Sequence, residues 1–203
     1  MLPVESPARQ PAIPYPDGAL RALLRAPLLL YRMGLGDLLN AIHIMVLVTR
    51  GRKSGQPRYT PIEYRRHGSK IYVVSGWGAR PQWYKNLLHD PQAAVQMGSR
   101  LRAARAQIVT DPAESLRALY LFRRTAPSRY DAVLSFVIES SVNARTLPNL
   151  SGQFTIVRLD LTPDEPPLPG LPGSLLWLGP LLLAGGVGMI ALFVAASRRK
   201  SEG

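Results

Sequence analysis

Hydrophobic positions divide most of the chain into short strand-like runs and amphipathic helices. The β-prone runs predict six strands, at 42–49, 58–65, 70–75, 93–97, 101–109 and 154–161. Helical spacing predicts four helices, at 18–31, 82–89, from 111 to 122 and from 130 to about 142. After the first helix, the order β-β-β-α-β-β-α-α-β lacks the repeated βα units of Rossmann and TIM folds. It predicts an α+β domain, mostly antiparallel, built on a small barrel.

The first predicted helix has an ambiguous apolar face. Leu20, Leu23, Leu24 and Leu28 share one side, with arginines around them, and Pro27 is expected to break or bend the helix. Such a face could cover a sheet, or it could lie on an anionic membrane surface. Both interpretations stay open from the sequence.

A long apolar segment follows the predicted domain. No charged residue occurs from Pro166 to Ser197, and residues 175–196 would span about 33 Å as a helix. We therefore predict a single transmembrane helix at 174–197, followed by a basic tail at 198–203. The alternative is an apolar helix that closes an oligomer.

The remaining boundaries follow from proline content. Residues 1–17 predict a Pro-rich arm, 18–161 the folded domain, and 162–173 a stiff linker. The arm has no apolar stretch of the signal-peptide type, so we expect the domain in the cytoplasm at the cell membrane. The positive-inside rule would instead place the basic C-terminal tail there.

Composition narrows the chemistry. The chain has 203 residues and no Cys, which excludes disulfides, thiolate metal sites and a Cys nucleophile. Its three His are far apart, so we predict no metal. The net charge of +12, mostly from Arg, indicates an anionic partner such as nucleic acid, lipid headgroups or a phosphorylated ligand. A GC-rich coding sequence would explain the Arg excess equally well.

The segment from Gly51 to Arg58 (GRKSGQPR) concentrates groups that bind anions. Two glycines free the backbone of a tight turn, while Arg52, Lys53 and Arg58 add positive charge and Ser54 adds a hydroxyl. The spacing differs from that of a Walker loop. The alternative is a solvated basic hairpin turn.

A second cluster combines glycines with aromatic side chains. Gly76 and Gly78 would let a flat ligand approach a strand end, and Trp77 and Trp83 could wall an aromatic ring. Core packing is the alternative for Trp83. The chain has no catalytic triad and no paired-carboxylate motif, so an enzyme of this kind would leave the difficult chemistry to a cofactor.

These two clusters resemble the signatures of a known family. The runs LVTRGRKSGQPR (47–58), YVVSGWG (72–78) and WYKNL (83–87) are similar to those of the deazaflavin-dependent nitroreductases, also described as F420H2-dependent quinone reductases. The resemblance covers about residues 28–160. It implies a split β-barrel that binds coenzyme F420, an anionic deazaflavin with a phosphate and a carboxylate-rich tail; FMN is less expected.

The resemblance also implies roles for individual residues. Cofactor binding is assigned to Arg52, Lys53, Ser54, Gly55, Gln56, Pro57, Arg58, Pro61, Ser75, Gly76, Trp77, Trp83, Tyr84 and Asn86. Members with nitroreductase activity carry several Tyr in the helix after the second hairpin, where this chain has only Tyr130. This departure leaves the substrate class open. No catalytic residue is assigned; Tyr130 is a candidate proton donor, and water is the alternative.

The function implied is hydride transfer from reduced F420 to a quinone or nitroaromatic acceptor, by an enzyme held at membrane lipid. A homodimer is also implied, because split barrels often dimerise. The alternative is a non-catalytic binder of an anionic lipid or fatty acid on the same fold. Nucleic acid is not an expected partner, because the arginines are scattered and the tryptophans lie off the basic turn.

Overall fold

A computed structural model of the protein describes residues 15–125 and 154–176. Within these ranges one antiparallel sheet contains β1 (Ile44–Arg50), β2 (Pro57–Glu63), β3 (Arg65–His67), β4 (Lys70–Ser75), β5 (Gln92–Met97), β6 (Arg100–Ile108) and β7 (Thr155–Leu161). Four helices flank it: α1 (Gly18–Arg32), α2 (Gly36–Ala41), α3 (Gln82–His89) and α4 (Pro112–Thr125). The predicted α+β class is confirmed.

The sheet curls on itself. Its strand order is β2-β1-β5-β6-β7-β4-β3, so β2 forms one edge and β4 lies beside the other. Residues of both strands nevertheless line the same cavity, among them Pro61 of β2 and Ser75 of β4. Two strands so far apart in a sheet can meet only if the sheet bends into a half-barrel. This arrangement is the one expected of a split β-barrel.

Both faces of the central strands are buried. Met45 and Leu47 of β1 point into the concave core, whereas Val46 and Val48 face a second cluster beneath α1 and α2. Side chains alternate along a strand, so a strand covered on both sides is a continuous apolar run. This explains why residues 44–48 are apolar throughout.

Helix α4 is fastened to the outer face of the sheet by a charged network. Asp111 accepts hydrogen bonds from the N–H groups of Ala113 and Glu114, both at 3.1 Å, and so caps the helix as predicted. The Glu114 carboxylate accepts bonds from Arg158 Nη1, at 2.8 and 3.0 Å, and from the Tyr72 hydroxyl, at 2.8 Å. Arg158 lowers the pKa of Glu114. Burial, with the neighbouring Glu114, raises the pKa of Tyr72 to about 12.

Predicted and observed elements agree best where local signals are strong. Strand β4 and helix α3 have the predicted bounds. The run 58–65 was predicted as one strand, but Tyr64 interrupts it and separates β2 from β3. Helix α2 was not predicted, because its six residues are too few to show a helical period.

Helix α1 continues through Pro27, which corrects the expected break. A proline in a helix deprives the carbonyl four residues earlier of its donor, here that of Leu23. Leu23 is 69% exposed, so water can hydrate this carbonyl in place of the missing N–H group.

The proline-rich residues 162–173 form no helix or strand, yet they are not a free spacer. Leu168 and Leu171 are 5% and 7% exposed and pack into the cluster beneath α1. The Leu171 N–H donates to Gln96 Oε1 at 2.8 Å. The packed region therefore extends past residue 161, where the domain was predicted to end.

Several predictions lie outside the described residues: the arm up to residue 14, the helix at 130–142 with Tyr130, the basic tail, and the transmembrane helix apart from 174–176. In the part of the chain that the structure does describe, no helix is long and apolar enough to cross a membrane.

Candidate active site

The turn between β1 and β2 is closed by its own backbone. The Gly51 N–H donates to the Gln56 carbonyl at 2.8 Å, and the Gly55 N–H donates to the Gly51 carbonyl at 2.7 Å. Gly55 has φ +66°, a conformation that side chains disfavour. We call residues 52–58 the basic turn.

The two arginines of the basic turn are bound to neutral partners. Arg58 Nη2 donates to Ser54 Oγ at 3.2 Å, and Arg52 Nη1 donates to Gln82 Oε1 at 2.7 Å. Lys53 is exposed, and among the described residues none of the three cations forms an ion pair. Their charge is therefore uncompensated within the described chain, which favours binding of an anion.

A buried amide holds this turn in place. Asn86, on α3, is 3% exposed; its Nδ2 donates to Thr49 Oγ1 at 3.0 Å, and its Oδ1 accepts from the Arg52 N–H at 3.3 Å. Asn86 therefore joins α3, the end of β1 and the basic turn. It is absent from the described cavity lining, so its geometry supports positioning of the turn.

An open cavity of about 230 Å³ lies beside the basic turn. Five residues with predicted cofactor roles line it: Pro61, Ser75, Gly76, Trp77 and Trp83. Gln82 also lines it, and because Gln82 accepts from Arg52, the cavity and the basic turn are contiguous. Tyr84 is absent from the described lining; it belongs to the concave core together with Trp83, and the two rings meet edge-on with centroids 6.0 Å apart.

The loop after β4 keeps the cavity open. The Ser75 hydroxyl donates to the Gly78 carbonyl at 2.6 Å, which fixes the loop. A Cβ added at Gly76 would meet no atom within 4 Å, so it would project into empty space at the cavity wall. The Trp77 ring is met edge-on by Tyr15, with centroids 6.1 Å apart.

Sequence reasoning missed one wall of this cavity. Tyr15, Arg21, Leu24 and Arg25 line it from α1 and the residues before it. The last three have i, i+3, i+4 spacing, so the sequence does place them on one helix face. Which face of a helix points at the sheet depends on long-range packing. The sequence pattern indicated the leucines as the contacting face, and of these Leu24 does line the cavity.

The curled sheet and this two-part site define a domain that can bind a flat ligand with an anionic extension. The family model described as F420H(2)-dependent quinone reductase matches residues 30–137, more than half of the 203 residues. The chain belongs to this family. It is a family of oxidoreductases whose cofactor is coenzyme F420, so the predicted enzyme class and cofactor are confirmed at this level.

Two mycobacterial relatives illustrate the extent of the likeness. "Putative F420H(2)-dependent quinone reductase Rv3178" of Mycobacterium tuberculosis is 33% identical over 82 residues, covering 39% of this chain and 68% of the relative. "F420H(2)-dependent quinone reductase Rv1261c" of the same organism is 34% identical over 59 residues, covering 28% of this chain and 40% of the relative. A solved structure of an F420-H2 dependent reductase (FDR-A) is 21% identical, with a TM-score of 0.42, over 58% of this chain and 93% of that one.

The residues present fit coenzyme F420. Ligand pockets usually occupy roughly 300–1,000 Å³, so a cavity of about 230 Å³ suits the ring and not the whole coenzyme. The phosphate and carboxylates would then lie outside it, where the basic turn offers cations without acidic partners. The open space at Gly76 suits close approach of a flat ring. The individual cofactor roles stay predictions.

Proposed function

We propose that this chain uses reduced coenzyme F420 to reduce a quinone. The observation that carries the proposal is the joining of a cavity with aromatic walls, through Gln82 and Arg52, to a cationic turn that has no carboxylate partner among the described residues. A neutral ring and an anionic tail need these two surroundings side by side. The family assignment favours this function over a non-catalytic lipid or fatty-acid binder.

In this proposal the basic turn holds the anionic tail. Lys53, Arg58 and the Ser54 hydroxyl would bind phosphate or carboxylate oxygens through charge-assisted hydrogen bonds. Asn86 keeps the turn in register with α3. The coenzyme, when bound in its reduced form, supplies the hydride.

The cavity walls would position the ring and the acceptor. Pro61, Trp77 and Trp83 present apolar surface, and Gly76 leaves room for a ring. The described lining includes no Asp, Glu or His. A proton for the reduced acceptor could come from Tyr15 or Tyr59, which line the cavity, from water, or from a residue outside the described ranges, for which Tyr130 stays the candidate.

The direct test is fluorescence titration of the full chain with oxidised F420. We expect binding that weakens by about 100-fold in the double variant Lys53→Ala/Arg58→Ala, because two charge-assisted contacts are lost. Arg66→Ala is the matched control: Arg66 is an exposed cation on β3, bonded to the Gly68 carbonyl and remote from the turn. Absence of F420 binding, or an equal loss in Arg66→Ala, would contradict the proposal.

The acceptor is proposed to be a quinone, with nitroaromatics as a second possibility. Reduced F420 can be mixed with the full chain and either a menaquinone analogue or a nitroimidazole, while the absorbance of oxidised F420 is followed. Oxidation by the quinone supports the proposal. Absence of oxidation by both classes, together with lipid co-purifying in the cavity, would favour the lipid-binding alternative.

We also propose that the enzyme works at a membrane, as a single-pass protein anchored by residues 174–197. The uncharged sequence of this segment supports it, as does the exposure of Leu20, Leu23 and Leu29 on α1. A membrane pellet containing the full chain should retain it through high-salt and alkaline-carbonate washes and release it in detergent. Release by salt alone would contradict anchoring. Association as a homodimer stays a prediction.

A further inference from the structure

The first half of helix α1 places two arginines beside the cavity, whereas in its second half Leu28 and Leu30 pack into the hydrophobic cluster that contains Tyr31. Arg21, Leu24 and Arg25 line the cavity, while Leu23 and Leu29 are 69% and 50% exposed. A surface helix ordinarily turns its apolar stripe toward the core, as the second half of α1 does. Arg21 and Arg25 line the cavity while remaining exposed, so core packing does not account for their position.

Among the described residues the two arginines make no ion pair, although Asp17 lies one turn before Arg21, whose N–H donates to the Asp17 carbonyl at 3.1 Å. Arg21 and Arg25 lie one helical turn apart, so their side chains project in the same direction. Within the described ranges no carboxylate lines the cavity. Both residues are exposed, so the charges remain hydrated and can exchange water for a ligand oxygen.

This pair is separate from the basic turn. The cavity lining contains Arg21 and Arg25 but none of Arg52, Lys53 or Arg58. The aromatic wall with Trp77 and Trp83 is formed by the loop after β4 and by α3, whereas the arginines are contributed by α1. A molecule in the cavity would thus have access to apolar surface and to two guanidinium groups.

We propose that Arg21 and Arg25 are catalytic residues that bind the acceptor's carbonyl oxygen and stabilise the negative charge it gains on reduction. The inference rests on the proposed function and deepens it. It assigns the acceptor side of the site, whereas the basic turn serves the coenzyme. The proposal therefore selects, as acceptors, quinones in which no substituent blocks the approach of the two arginines to the carbonyl oxygen.

The charge balance explains why cations are useful there. A quinone that accepts a hydride gains one proton and two electrons. The product is a hydroquinonate monoanion, whose negative charge lies on one of its two oxygens. The reduced coenzyme, which supplies the hydride, is oxidised. A guanidinium N–H near that oxygen stabilises the developing charge, and a proton from water then completes the neutral hydroquinone.

Binding of quinone probes to the coenzyme-free full chain tests the pair directly. The probes are 2-hydroxy-1,4-naphthoquinone, which is anionic at neutral pH, and neutral 1,4-naphthoquinone, each followed by quenching of tryptophan fluorescence. Arg21→Ala/Arg25→Ala should weaken binding of the anionic probe by about 10- to 30-fold and that of the neutral probe by less than about 3-fold. Arg21→Lys/Arg25→Lys should recover part of the loss.

Arg32→Ala is the matched control, because Arg32 is an exposed cation on the same helix that does not line the cavity. It should leave both probes unchanged. Thermal unfolding of each variant checks that α1 remains folded. An equal loss for both probes, or a loss in Arg32→Ala, would overturn the assignment.

Oxidised F420 separates this inference from the proposed function. If the α1 pair serves the acceptor, the double variant should bind F420 within about 2-fold of the parent chain, and kcat for a neutral quinone should fall more than KM rises. Weakened F420 binding with unchanged probe binding would assign the pair to the coenzyme tail and overturn the inference alone. Failure of the parent chain to bind F420 would defeat the proposed function, while the probe experiment still decides the role of the pair.

Discussion

Two arginine-containing regions of this molecule differ in how their charge is compensated. In the network at α4, Arg158 is paired with Glu114 and Asp160, and the side chains of Arg158 and Glu114 are each 17% exposed. In the basic turn, the side-chain partners of Arg52 and Arg58 within the described residues are neutral, and Lys53 is exposed. The first region fastens a helix to a sheet, and the second leaves its charge available.

The comparison shows that residue type alone does not identify a binding site in a chain with a net charge of +12. What distinguishes the two regions is the chemistry of the nearest neighbours. The positive charge of a guanidinium between carboxylates is already neutralised by its neighbours. A guanidinium beside an amide or a hydroxyl keeps its charge uncompensated and can still bind an anion. Each region should therefore respond to a different perturbation.

The largest expected effect is on stability, in the α4 network. Glu114→Gln removes the carboxylate that accepts from Arg158 and Tyr72, and we expect the free energy of unfolding to fall by about 2 kcal/mol. Urea denaturation measures it. F420 affinity should stay within about 2-fold of the parent value if the two regions are independent. A large loss of F420 affinity in a variant that still folds would show that the α4 network and the basic turn are not independent.

Asn86 allows a sharper test of how the basic turn is held, because it contacts the turn and yet is buried like a residue of the core. Asn86→Ala should weaken F420 binding by about 10-fold and also destabilise the fold by about 1 kcal/mol, since both Thr49 and Arg52 lose a partner. Thr49→Val is the matched variant: it removes only the hydroxyl and leaves the contact with Arg52. If Thr49→Val reduces affinity as much as Asn86→Ala, Asn86 does not act by positioning the basic turn.

Acid should affect the α4 network before it affects the turn. The pKa of Glu114 is held below its ordinary value, chiefly by Arg158. The unfolded chain therefore binds more protons near this pKa, so this contribution is fully present above about pH 4.5 and is lost as the pH falls through the folded pKa. Stability curves from pH 7 to pH 3 should converge for the parent and Glu114→Gln. Parallel curves would show that protonation of Glu114 does not cause the loss of stability in acid.

The smallest expected effect is that of ionic strength, which should weaken interactions of the exposed charges more than those of the partly buried ones. Raising the ionic strength from about 0.05 M to about 0.5 M should weaken F420 binding several-fold, because the basic turn is open to solvent. The unfolding temperature should change little, since the Glu114–Arg158 pair is mostly shielded. Salt-independent F420 binding would contradict an electrostatic role for the turn.

Local sequence signals predicted much of this architecture. Asp111 caps α4, α3 begins after Pro81, and the glycines of the basic turn form the tight bend expected of them. Each of these features depends on neighbours within a few residues. The two signature clusters also proved to be adjacent in space, as the family resemblance implies.

Long-range packing determined what the sequence could not predict. The leucines of α1 have the spacing of a core-facing stripe, yet Leu20 and Leu23 are exposed and Arg21 and Arg25 line the cavity. The orientation of a helix depends on its anchors, and here Tyr31 supplies one: it donates to the Ile44 carbonyl at 3.0 Å. No local pattern marks that contact, which joins residues thirteen positions apart.

The leucines of the proline-rich segment bear on where this chain can be shortened. A fragment ending at residue 161 would lack Leu168 and Leu171, and the hydrophobic cluster beside Tyr31 would open to water. Loss of a buried leucine side chain commonly costs about 2 kcal/mol or more, so this fragment would be prone to unfolding and aggregation. A fragment meant for crystallisation or NMR should therefore keep every residue through 176.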